Sequence, residues 1–557
     1  MNKQNNENII LEEYENEFSY NKRKSNLNIQ FNRVAFIFFI FLAISIIYSI
    51  QLLHLGSLKS NVMEIEAIID KKNRADIIDR NGNYLVKTVS SINIGINPVE
   101  VIDKKKLIIN LKLIFPNKNY SEIKKKLDKN KFFYFEKKIS AQNYEKIMLL
   151  GDKSIKSEEK LTRIYPQKNL FSHIIGQIDE DNNGISGIEK SFDEKLKFIK
   201  EPLKLTVDAD IQFLIREELK KFNTIFKSKG SAAILMDVNN GEVLSMISYP
   251  DFNLNKREKI DDVNYINRAT KGVYELGSVF KTFTIAAGLD AGLIESETEF
   301  LNLEKKLNCG KSTITEYDNK ILSNLTVEEI LIKSGNIGSV RIGQMLEIEG
   351  LKSFLEKIGV LSKIDFDIEE VGEPIPFRWG KCKLATASFG HGITTTPLQL
   401  IKAYAIISNG GFDINPTLIK DTSRRNKKRI IKKNTSETIN LILRKIVTEG
   451  TAKLANVNGY EIGGKTGTAN KTTKGGYSKK KINTFASIFP TSNPKFALVV
   501  LMEETEINPE YIYEYRDGSG FKLKGSPRNT AGWTSVEVAG KIIEKIGPIL
   551  ATKYIEN

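Results

Sequence analysis

The stretch GSVFKTFTIAAGL, residues 277–289, is the most informative part of the sequence, because it places Ser278 directly before an apolar segment typical of a buried helix. Residues three apart lie on one helix face, so Lys281 is expected to reach the Ser278 hydroxyl. A serine hydroxyl is a poor nucleophile until a neighbouring base removes its proton. A lysine can be that base only where burial and nearby cations lower its pKa. The stretch therefore predicts a serine nucleophile paired with a lysine base.

The alternative interpretation of Ser278 is a helix-capping serine followed by a solvated lysine. This alternative explains most other occurrences of Ser-x-x-Lys in the chain, because they mostly lie in charged segments. Around Ser278 the neighbours are apolar, which favours the catalytic interpretation. The other occurrences begin at Ser19, Ser121, Ser157, Ser478 and Ser519.

A second motif, Ser334-Gly335-Asn336, lies between two apolar helical stretches, VEEILIKS and IGSVRIGQML. A helix–loop–helix tip suits a loop at the edge of a cleft. There Ser334 could relay a proton to a leaving amine, and the Asn336 amide could hold Lys281 and a substrate carbonyl. The alternative is an ordinary turn with side-chain capping. Its position between the other two motifs favours the catalytic interpretation.

The third motif, Lys465-Thr466-Gly467-Thr468, lies just before a Lys/Gly-rich loop. A strand edge at this point could pair with a peptide-like substrate, and Gly467 would leave room for its backbone. The hydroxyls of Thr466 and Thr468 could bind a terminal carboxylate, with Lys465 supplying positive charge. The backbone N–H groups of Ser278 and Thr468 are the candidate oxyanion hole. A lone Lys-Thr-Gly is usually a loop, so this motif depends on the other two.

The wider pattern predicts an α+β fold. Two apolar runs joined by an Asn-Asn-Gly turn, residues 231–236 and 242–248, indicate a β-hairpin. A hairpin followed by helices, strands and a last helix is typical of a mostly antiparallel sheet flanked by helices. The later elements are a helix-rich middle, two strands and a closing helix, at residues 264–450, 485–489, 496–502 and 533–550.

An N-terminal segment predicts attachment to a membrane. Residues 34–58 contain no Asp, Glu, Lys or Arg, and about 20 apolar residues suffice to cross a bilayer. The run is too long for a signal peptide and has no cleavage site after it. Basic residues precede it closely, which places the N-terminus in the cytoplasm. We expect a flexible cytoplasmic tail, an anchor, a pedestal domain and an external catalytic domain at residues 1–33, 34–55, 60–202 and 203–557.

The composition excludes some classes of function. The net charge is +15, but the lysines are dispersed and no nucleic-acid motif accompanies them, so nucleic-acid binding is not expected. No Cys/His cluster has metal-ligand spacing, and we expect neither a metal nor a cofactor. A disulfide between Cys309 and Cys382 is possible in an exported domain. Two buried free cysteines are the expected state.

Taken together, the motifs resemble those of class B penicillin-binding proteins, the monofunctional peptidoglycan D,D-transpeptidases. The resemblance extends from the anchor to the C-terminus. Two departures are Ala75 and Leu276, where the family often has Gly and usually has Pro. The similar segments are RADIIDRNG (74–82), RIYP (163–166), GxxGxE (184–189), LTxDxxxQ (205–212), FGHG (389–392) and TPLQ (396–399).

The resemblance implies a transpeptidase domain on an elongated pedestal. It also implies a reaction in which a stem peptide ending in D-Ala-D-Ala acylates Ser278 and the amine of a neighbouring stem peptide resolves the acyl-enzyme. β-Lactams would be covalent inhibitors. The RADIIDRNG form, the short pedestal and the FGHG segment are closer to the septal, FtsI-like branch. That branch implies a membrane glycosyltransferase and other divisome proteins as partners, and in it His391 is structural.

Two other hypotheses remain open. A β-lactamase or D,D-carboxypeptidase would use water to resolve the acyl-enzyme, although the anchor and pedestal argue against it. A non-catalytic β-lactam sensor or divisome scaffold would keep its function without the nucleophile. A sensor needs a substantial cytoplasmic output domain, and a tail of 33 residues does not provide one.

Overall fold

The computed structural model describes residues 26–57, 74–256, 263–310, 312–420, 428–473 and 476–555. The chain divides into two units, residues 1–72 and 73–557. The first contains helix α1 (Asn26–Ser57), in which Ala35–His54 has a mean hydropathy of 2.5 and is long and apolar enough to cross a membrane. Residues 26–33, which belong to the predicted tail, form the first two turns of this helix. Residues 1–25 lie outside the described part.

The second unit begins with a lobe built on a five-stranded sheet. The long strand β2 pairs with β1, β3 and β4 in antiparallel fashion, and β5 joins β1 in parallel. One end of the lobe has its own core, in which Ile94, Leu111 and Phe135 are buried. The strands are β1 (Ile77–Ile78), β2 (Tyr84–Ile96), β3 (Phe133–Ile139), β4 (Ile155–Ile164) and β5 (Leu203–Lys204). The helices are α2 (Lys104–Ile114), α3 (Tyr120–Asp128), α4 (Ala141–Met148), α5 (Ser172–Ile175), α6 (Gly187–Ser191) and α7 (Asp193–Phe198).

A buried ion cluster joins three of the segments that the sequence singled out in this lobe. Arg74 Nε donates to Glu189 Oε2 at 2.5 Å, and Arg163 Nε donates to Glu189 Oε1 at 2.8 Å. Arg74 also contacts Asp193 at 2.6 Å. Glu189 is 0% exposed and both arginines are 5% exposed. The cluster therefore holds the strands and helices of the lobe together through paired charges.

The rest of the unit is organised around a second five-stranded sheet, in the order β12-β13-β14-β6-β7, with every neighbouring pair antiparallel. Every residue of β6 and β14 is buried, as expected of central strands covered on both faces. The predicted hairpin, the two later strands and the α+β class are confirmed. These strands are β6 (Gly230–Asp237), β7 (Val243–Tyr249), β12 (Gly463–Thr473), β13 (Gly476–Phe489) and β14 (Phe496–Glu503).

Helices cover both faces of this sheet. Helix α8 (Ala209–Ile225) and the predicted closing helix α15 (Ser535–Leu550) pack on one face, whereas α13 (Pro397–Ser408) and α14 (Lys433–Thr448) pack on the other. Helix α13 begins at Pro397 behind a capping box made by Thr396. The remaining helices are α9 (Phe280–Ala291), α10 (Val327–Ile332), α11 (Asn336–Lys357) and α12 (Lys381–Ala387).

Several short strands complete this part of the chain, and one of them carries Cys309. Strands β9 (Lys306–Cys309) and β10 (Ser312–Thr315) form a hairpin, and Cys309 is disulfide-bonded to Cys382 in α12. The expectation of two buried free cysteines is wrong, because Cys309 is half-buried, Cys382 is exposed and their Cα atoms are 5.3 Å apart. The other short strands are β8 (Glu299–Phe300), β11 (Leu325–Thr326), β15 (Ile512–Glu514) and β16 (Lys522–Lys524).

Candidate active site

The three sequence motifs meet at one cleft of about 820 Å³. Ser278 comes from the turn before α9, and Ser334 and Asn336 come from the α10–α11 loop. Thr466 and Thr468 come from the edge strand β12. The two motif lysines do not line the cleft surface, because both are 0% exposed.

The turn that carries Ser278 packs tightly against the third motif. Gly277–Val279 forms one 3-10 turn that leads into α9, so Ser278 lies close to a helix N-terminus as predicted. A side chain at Gly467 would place its Cβ 2.1 Å from the Leu276 carbonyl oxygen, so only glycine fits there. Ser278 is half-buried at the cleft, and its hydroxyl has no hydrogen-bond partner within the described ranges.

The Lys281 amine is held by the second motif rather than by the nucleophile. Its Nζ donates to the Ser334 carbonyl oxygen at 2.5 Å, to Asn336 Oδ1 at 2.7 Å and to Ser334 Oγ at 3.2 Å. Ser334 has a positive φ of 57°, a conformation uncommon outside glycine. The predicted contact with Ser278 Oγ is therefore not made in the free protein. Catalytic hydrogen bonds are often long in free enzymes and tighten when substrate binds.

Burial changes the acid–base properties of both lysines. Burial lowers the pKa of Lys281 to about 7, even though the Glu316 charge acts in the opposite direction. Burial also lowers the pKa of Lys465, and the nearby Lys281 charge lowers it further. The charge effect therefore acts on Lys465, whereas the causes acting on the pKa of Lys281 are burial and the Glu316 charge. Near neutral pH about half of the Lys281 amine is neutral and can accept a proton.

The Ser334 hydroxyl joins the two amines. Lys281 Nζ and Lys465 Nζ lie 3.2 Å and 3.0 Å from Ser334 Oγ, and both act as donors to it. An oxygen that accepts two N–H groups still has its own O–H proton to donate. The geometry therefore suits a proton relay between either lysine and a group bound in the cleft.

The hydroxyls of the third motif already have partners. Thr466 Oγ1 lies 2.9 Å from Thr451 Oγ1. Thr468 Oγ1 donates to Asn483 Oδ1 at 3.2 Å and accepts from the Ala531 N–H at 2.9 Å. A carboxylate that binds here would have to replace Asn483 Oδ1 as the acceptor of the Thr468 hydroxyl hydrogen bond. The hydroxyls are nonetheless fixed in position before a ligand arrives.

The Lys/Gly-rich segment after the third motif is not the loop that the sequence predicted. Strands β12 and β13 stay paired as far as Thr473 and Gly476, so the segment is mostly a long hairpin. On its second strand, Tyr477 donates to the Glu275 carboxylate at 2.9 Å, three residues before the nucleophile. The His391 ring stacks on Tyr477 at 4.8 Å. The structural role predicted for His391 stays a prediction.

Glu316 and Thr315, two residues that sequence reasoning missed, hold the second motif by hydrogen bonds. Glu316 accepts the backbone N–H groups of Asn336 and Ile337 at 2.6 Å and 2.9 Å. The Thr315 carbonyl accepts from Asn336 Nδ2 at 2.7 Å. No sequence pattern indicated them, because Glu316 is one acidic residue in an irregular segment.

Three basic residues at the cleft were also missed, namely Lys453, Lys481 and Arg528.

Comparison with known families identifies the class of protein. A family described as the penicillin binding protein transpeptidase domain matches residues 231–519, and one described as the penicillin-binding protein dimerisation domain matches residues 69–224. Because the first match covers more than half of the 557 residues, the chain belongs to the penicillin-binding protein transpeptidase family. The predicted resemblance to this family is confirmed.

Individual relatives narrow the comparison. The probable peptidoglycan D,D-transpeptidase FtsI of Caulobacter vibrioides is 29% identical over 499 residues, covering 86% of this chain and 82% of that protein. Stage V sporulation protein D of Bacillus subtilis is 28% identical, covering 87% and 79%. Peptidoglycan D,D-transpeptidase FtsI of Escherichia coli is 27% identical, covering 79% and 80%. The relatives thus include FtsI-named proteins and a sporulation protein. Ala35–His54 is the one helix of the described residues that is long and apolar enough to cross a membrane.

A solved structure shares the fold. Penicillin binding protein 3 of Mycobacterium tuberculosis, determined with aztreonam bound, superposes with a TM-score of 0.65 at 21% sequence identity. The match covers 86% of this chain and 96% of that one. The likeness therefore extends over both the lobe and the sheet-containing part of the second unit.

Proposed function

We propose that this protein is a peptidoglycan D,D-transpeptidase that cross-links stem peptides through a serine acyl-enzyme. The observation that carries the proposal is the meeting of Ser278, Lys281, Ser334 and Lys465 around one cleft, with both lysines fully buried. A buried amine with a lowered pKa is what activation of a serine by lysine requires. Relatives that carry the name peptidoglycan D,D-transpeptidase support the substrate.

In the acylation step, neutral Lys281 takes the proton of Ser278 as Oγ attacks the carbonyl carbon of the penultimate D-Ala. The oxygen that becomes negative accepts the backbone N–H groups of Ser278 and Thr468. The C–N bond then breaks, and the departing D-Ala amine receives a proton through Ser334. The products are free D-Ala and an ester on Ser278.

In the second step, the amine of a neighbouring stem peptide attacks this ester. It forms an amide, passes its extra proton back through the Ser334 and Lys281 network, and releases the Ser278 hydroxyl. Asn336 holds the Lys281 amine during both steps. Because its Nδ2 carries two protons and one is donated to Thr315, the other can meet a substrate carbonyl.

The third motif provides the binding site for the donor peptide. Strand β12 is the edge of the sheet, so an extended peptide can pair along it. Gly467 lets the turn that carries Ser278 pack against this strand, because a Cβ there would meet the Leu276 carbonyl oxygen. Thr466 and Thr468 can donate to the terminal carboxylate, and this negative charge would favour the protonated form of the nearby Lys465 amine. A β-lactam would occupy the same place and acylate Ser278.

We place this reaction in septal wall synthesis on the outer face of the cytoplasmic membrane. The FtsI-named relatives support the septal role, and the basic residues before the apolar run support a cytoplasmic N-terminus. On this proposal residues 1–33 are the cytoplasmic tail and 34–55 the anchor. Residues 60–202 are the pedestal and 203–557 the transpeptidase domain. A membrane glycosyltransferase and divisome proteins are the proposed partners.

Mass spectrometry of the full-length protein in detergent, after exposure to a labelled penicillin, tests the proposal. We expect one adduct on Ser278 that is absent from Ser278→Ala. Ser478→Ala is the matched control, because Ser478 begins another Ser-x-x-Lys pattern but donates to the Lys471 carbonyl in the β12–β13 hairpin. The Ser478→Ala variant should be acylated to the same extent as the wild-type protein.

The lifetime of the adduct and the activity of Ser278→Ala separate the other two hypotheses. An adduct lost within seconds would indicate a β-lactamase, whereas release of D-Ala without cross-linked product would indicate a carboxypeptidase. Full support of division by Ser278→Ala in cells would indicate a scaffold. No adduct on the folded wild-type protein would contradict the nucleophile assignment.

A further inference from the structure

Helix α11 begins at the second motif, and a carboxylate from another element meets its first turn. Both oxygens of Glu316, directly after β10, accept N–H groups there: Oε2 from Asn336 at 2.6 Å and Oε1 from Ile337 at 2.9 Å. These N–H groups have no partner inside a helix, and a negative charge at a helix N-terminus is favourable. The contact therefore fixes where the helix, and with it Asn336, begins.

The residue before Glu316 fixes the side chain of Asn336 as well. The Thr315 carbonyl accepts Asn336 Nδ2 at 2.7 Å, so the amide oxygen Oδ1 must face the other way. There it accepts from Lys281 Nζ at 2.7 Å. Two adjacent residues at the end of β10 thus hold the backbone and the amide of the residue that holds the lysine.

The β9–β10 hairpin that carries these two residues is itself attached to the fold. Cys309, at the end of β9, is bonded to Cys382 in α12, and Cys309 pairs directly with Ser312 in the hairpin. The turn end of the hairpin, beside the first residue of β10, is therefore anchored to a helix outside the site. A hairpin anchored in this way can position a catalytic loop more firmly than a free one.

We propose that Glu316 is a positioning residue for the acylation step, which acts by holding Asn336 so that its amide oxygen receives the Lys281 amine. The inference rests on the proposed function, because it concerns the base of the same reaction. Glu316 does not contact the substrate. Its charge has a second effect, since burial lowers the pKa of Lys281 to about 7 and Glu316 acts against this decrease.

A role confined to capping α11 would also explain the two backbone contacts, and the pH dependence of acylation separates the roles. We would measure the rate of acylation by a fluorescent penicillin between pH 5 and 9 for full-length wild type and Glu316→Gln. Gln cannot accept both N–H groups through two oxygens, so we expect the plateau rate to fall about 5–10-fold. Loss of the Glu316 charge should lower the pKa of Lys281 further. The fall in acylation rate on the acid side, the acid limb, should therefore move to lower pH by roughly half a pH unit or more.

Glu329→Gln is the matched control. Glu329 is also half-buried, and its carboxylate also meets the start of a helix, because it accepts the Thr326 N–H at 3.1 Å in the capping box of α10. Its charge is not among those acting on Lys281. We expect Glu329→Gln to lower the melting temperature while leaving the acid limb in place.

If Glu316→Gln and Glu329→Gln have the same plateau rate, and their rates fall at the same pH on the acid side, the proposal is overturned. Glu316 would then only cap the helix. If Glu316→Gln does not fold, Glu316→Asp takes its place, because it keeps the charge but shortens the reach. We then expect a lower plateau with a smaller shift of the limb, and an unchanged plateau would overturn the proposal.

The proposed acyl-enzyme reaction can be contradicted without contradicting the role of Glu316. If wild type forms no adduct, the acyl-enzyme proposal fails, but the effect of Glu316 on Lys281 stays measurable. An NMR pH titration of the Lys281 side chain, with its signal assigned by comparison with Lys281→Met, should show a lower apparent pKa in Glu316→Gln. Equal titration curves for wild type and variant would overturn the inference on this readout also.

Discussion

The protein buries basic side chains in two places, and it treats them differently. In the lobe, Arg74 and Arg163 both contact the carboxylate of Glu189. At the cleft, Lys281 and Lys465 are 0% exposed, and their hydrogen-bond partners are hydroxyl, carbonyl and amide oxygens. One site pairs each buried cation with an anion, and the other does not.

The difference shows how burial can serve either structure or reactivity. A buried cation beside a carboxylate stays charged, and removing its partner leaves an unpaired charge that is costly. A buried lysine without a contacting carboxylate gives up its proton more easily, so its pKa falls toward neutrality. A lysine that acts as a base requires burial without a contacting carboxylate. The lobe, in contrast, is held together by arginines that stay charged beside one.

Replacement of the cleft lysine should have the largest effect on rate. In Lys281→Met the side-chain volume is kept but the base is lost, so we expect acylation by penicillin to slow about 10³-fold. Stability should change by only about 1 kcal/mol, since the amine contacts carbonyl, hydroxyl and amide oxygens and is not half of an ion pair. Stopped-flow acylation and urea unfolding would measure both. A large loss of stability would contradict the contrast between the two sites.

Replacement of the lobe carboxylate should have the opposite profile. Glu189→Gln leaves Arg163 buried without its carboxylate, and we expect the free energy of unfolding to fall by about 3 kcal/mol. Acylation measured well below the melting temperature should change less than about twofold, because Glu189 is not part of the cleft lining. Urea titration with a fluorescence readout would test this. Loss of acylation in a fully folded variant would show that the lobe and the cleft are coupled.

The pH dependence of acylation should show the smallest effect. With a pKa of about 7 for Lys281, half of the amine is neutral at pH 7 and about a tenth at pH 6. A pKa lowered in this way means that the base becomes ready as pH rises, so the rate should increase through pH 7 and level off above pH 8. Rates measured between pH 5 and 9 would test it. A rate that is flat down to pH 5 would exclude Lys281 as the base.

The sequence predicted the parts of the site that local patterns encode. The turn before α9, the α10–α11 loop and the edge strand β12 follow from short motifs with apolar neighbours. What it could not predict depends on residues far apart in the chain. Spacing along a helix suggested that Lys281 reaches Ser278, but the amine turns to Ser334, 53 positions away. The Cys309–Cys382 bond spans 73 positions, and only the fold brings their Cα atoms together.

Glu316 illustrates the same point most clearly. Nothing in its neighbours marks it, and its importance depends on a hairpin that brings it to the start of α11. Likewise, the Lys/Gly-rich composition after Thr468 suggested a loop because glycine and lysine are weak strand formers. The pairing of β12 with β13 overrides that preference.

The tight packing around the nucleophile restricts how resistance to β-lactams could evolve. A Cβ at Gly467 would meet the Leu276 carbonyl at 2.1 Å, and one at Gly390 would meet the Gly277 carbonyl at 2.0 Å. Substitutions of these glycines would displace the turn that carries Ser278 and disable the enzyme together with drug binding. Selection under penicillin should therefore favour changes at the exposed rim, at Tyr317, His391 or Arg528. Sequencing of drug-selected libraries would show whether Gly467 and Gly390 stay invariant.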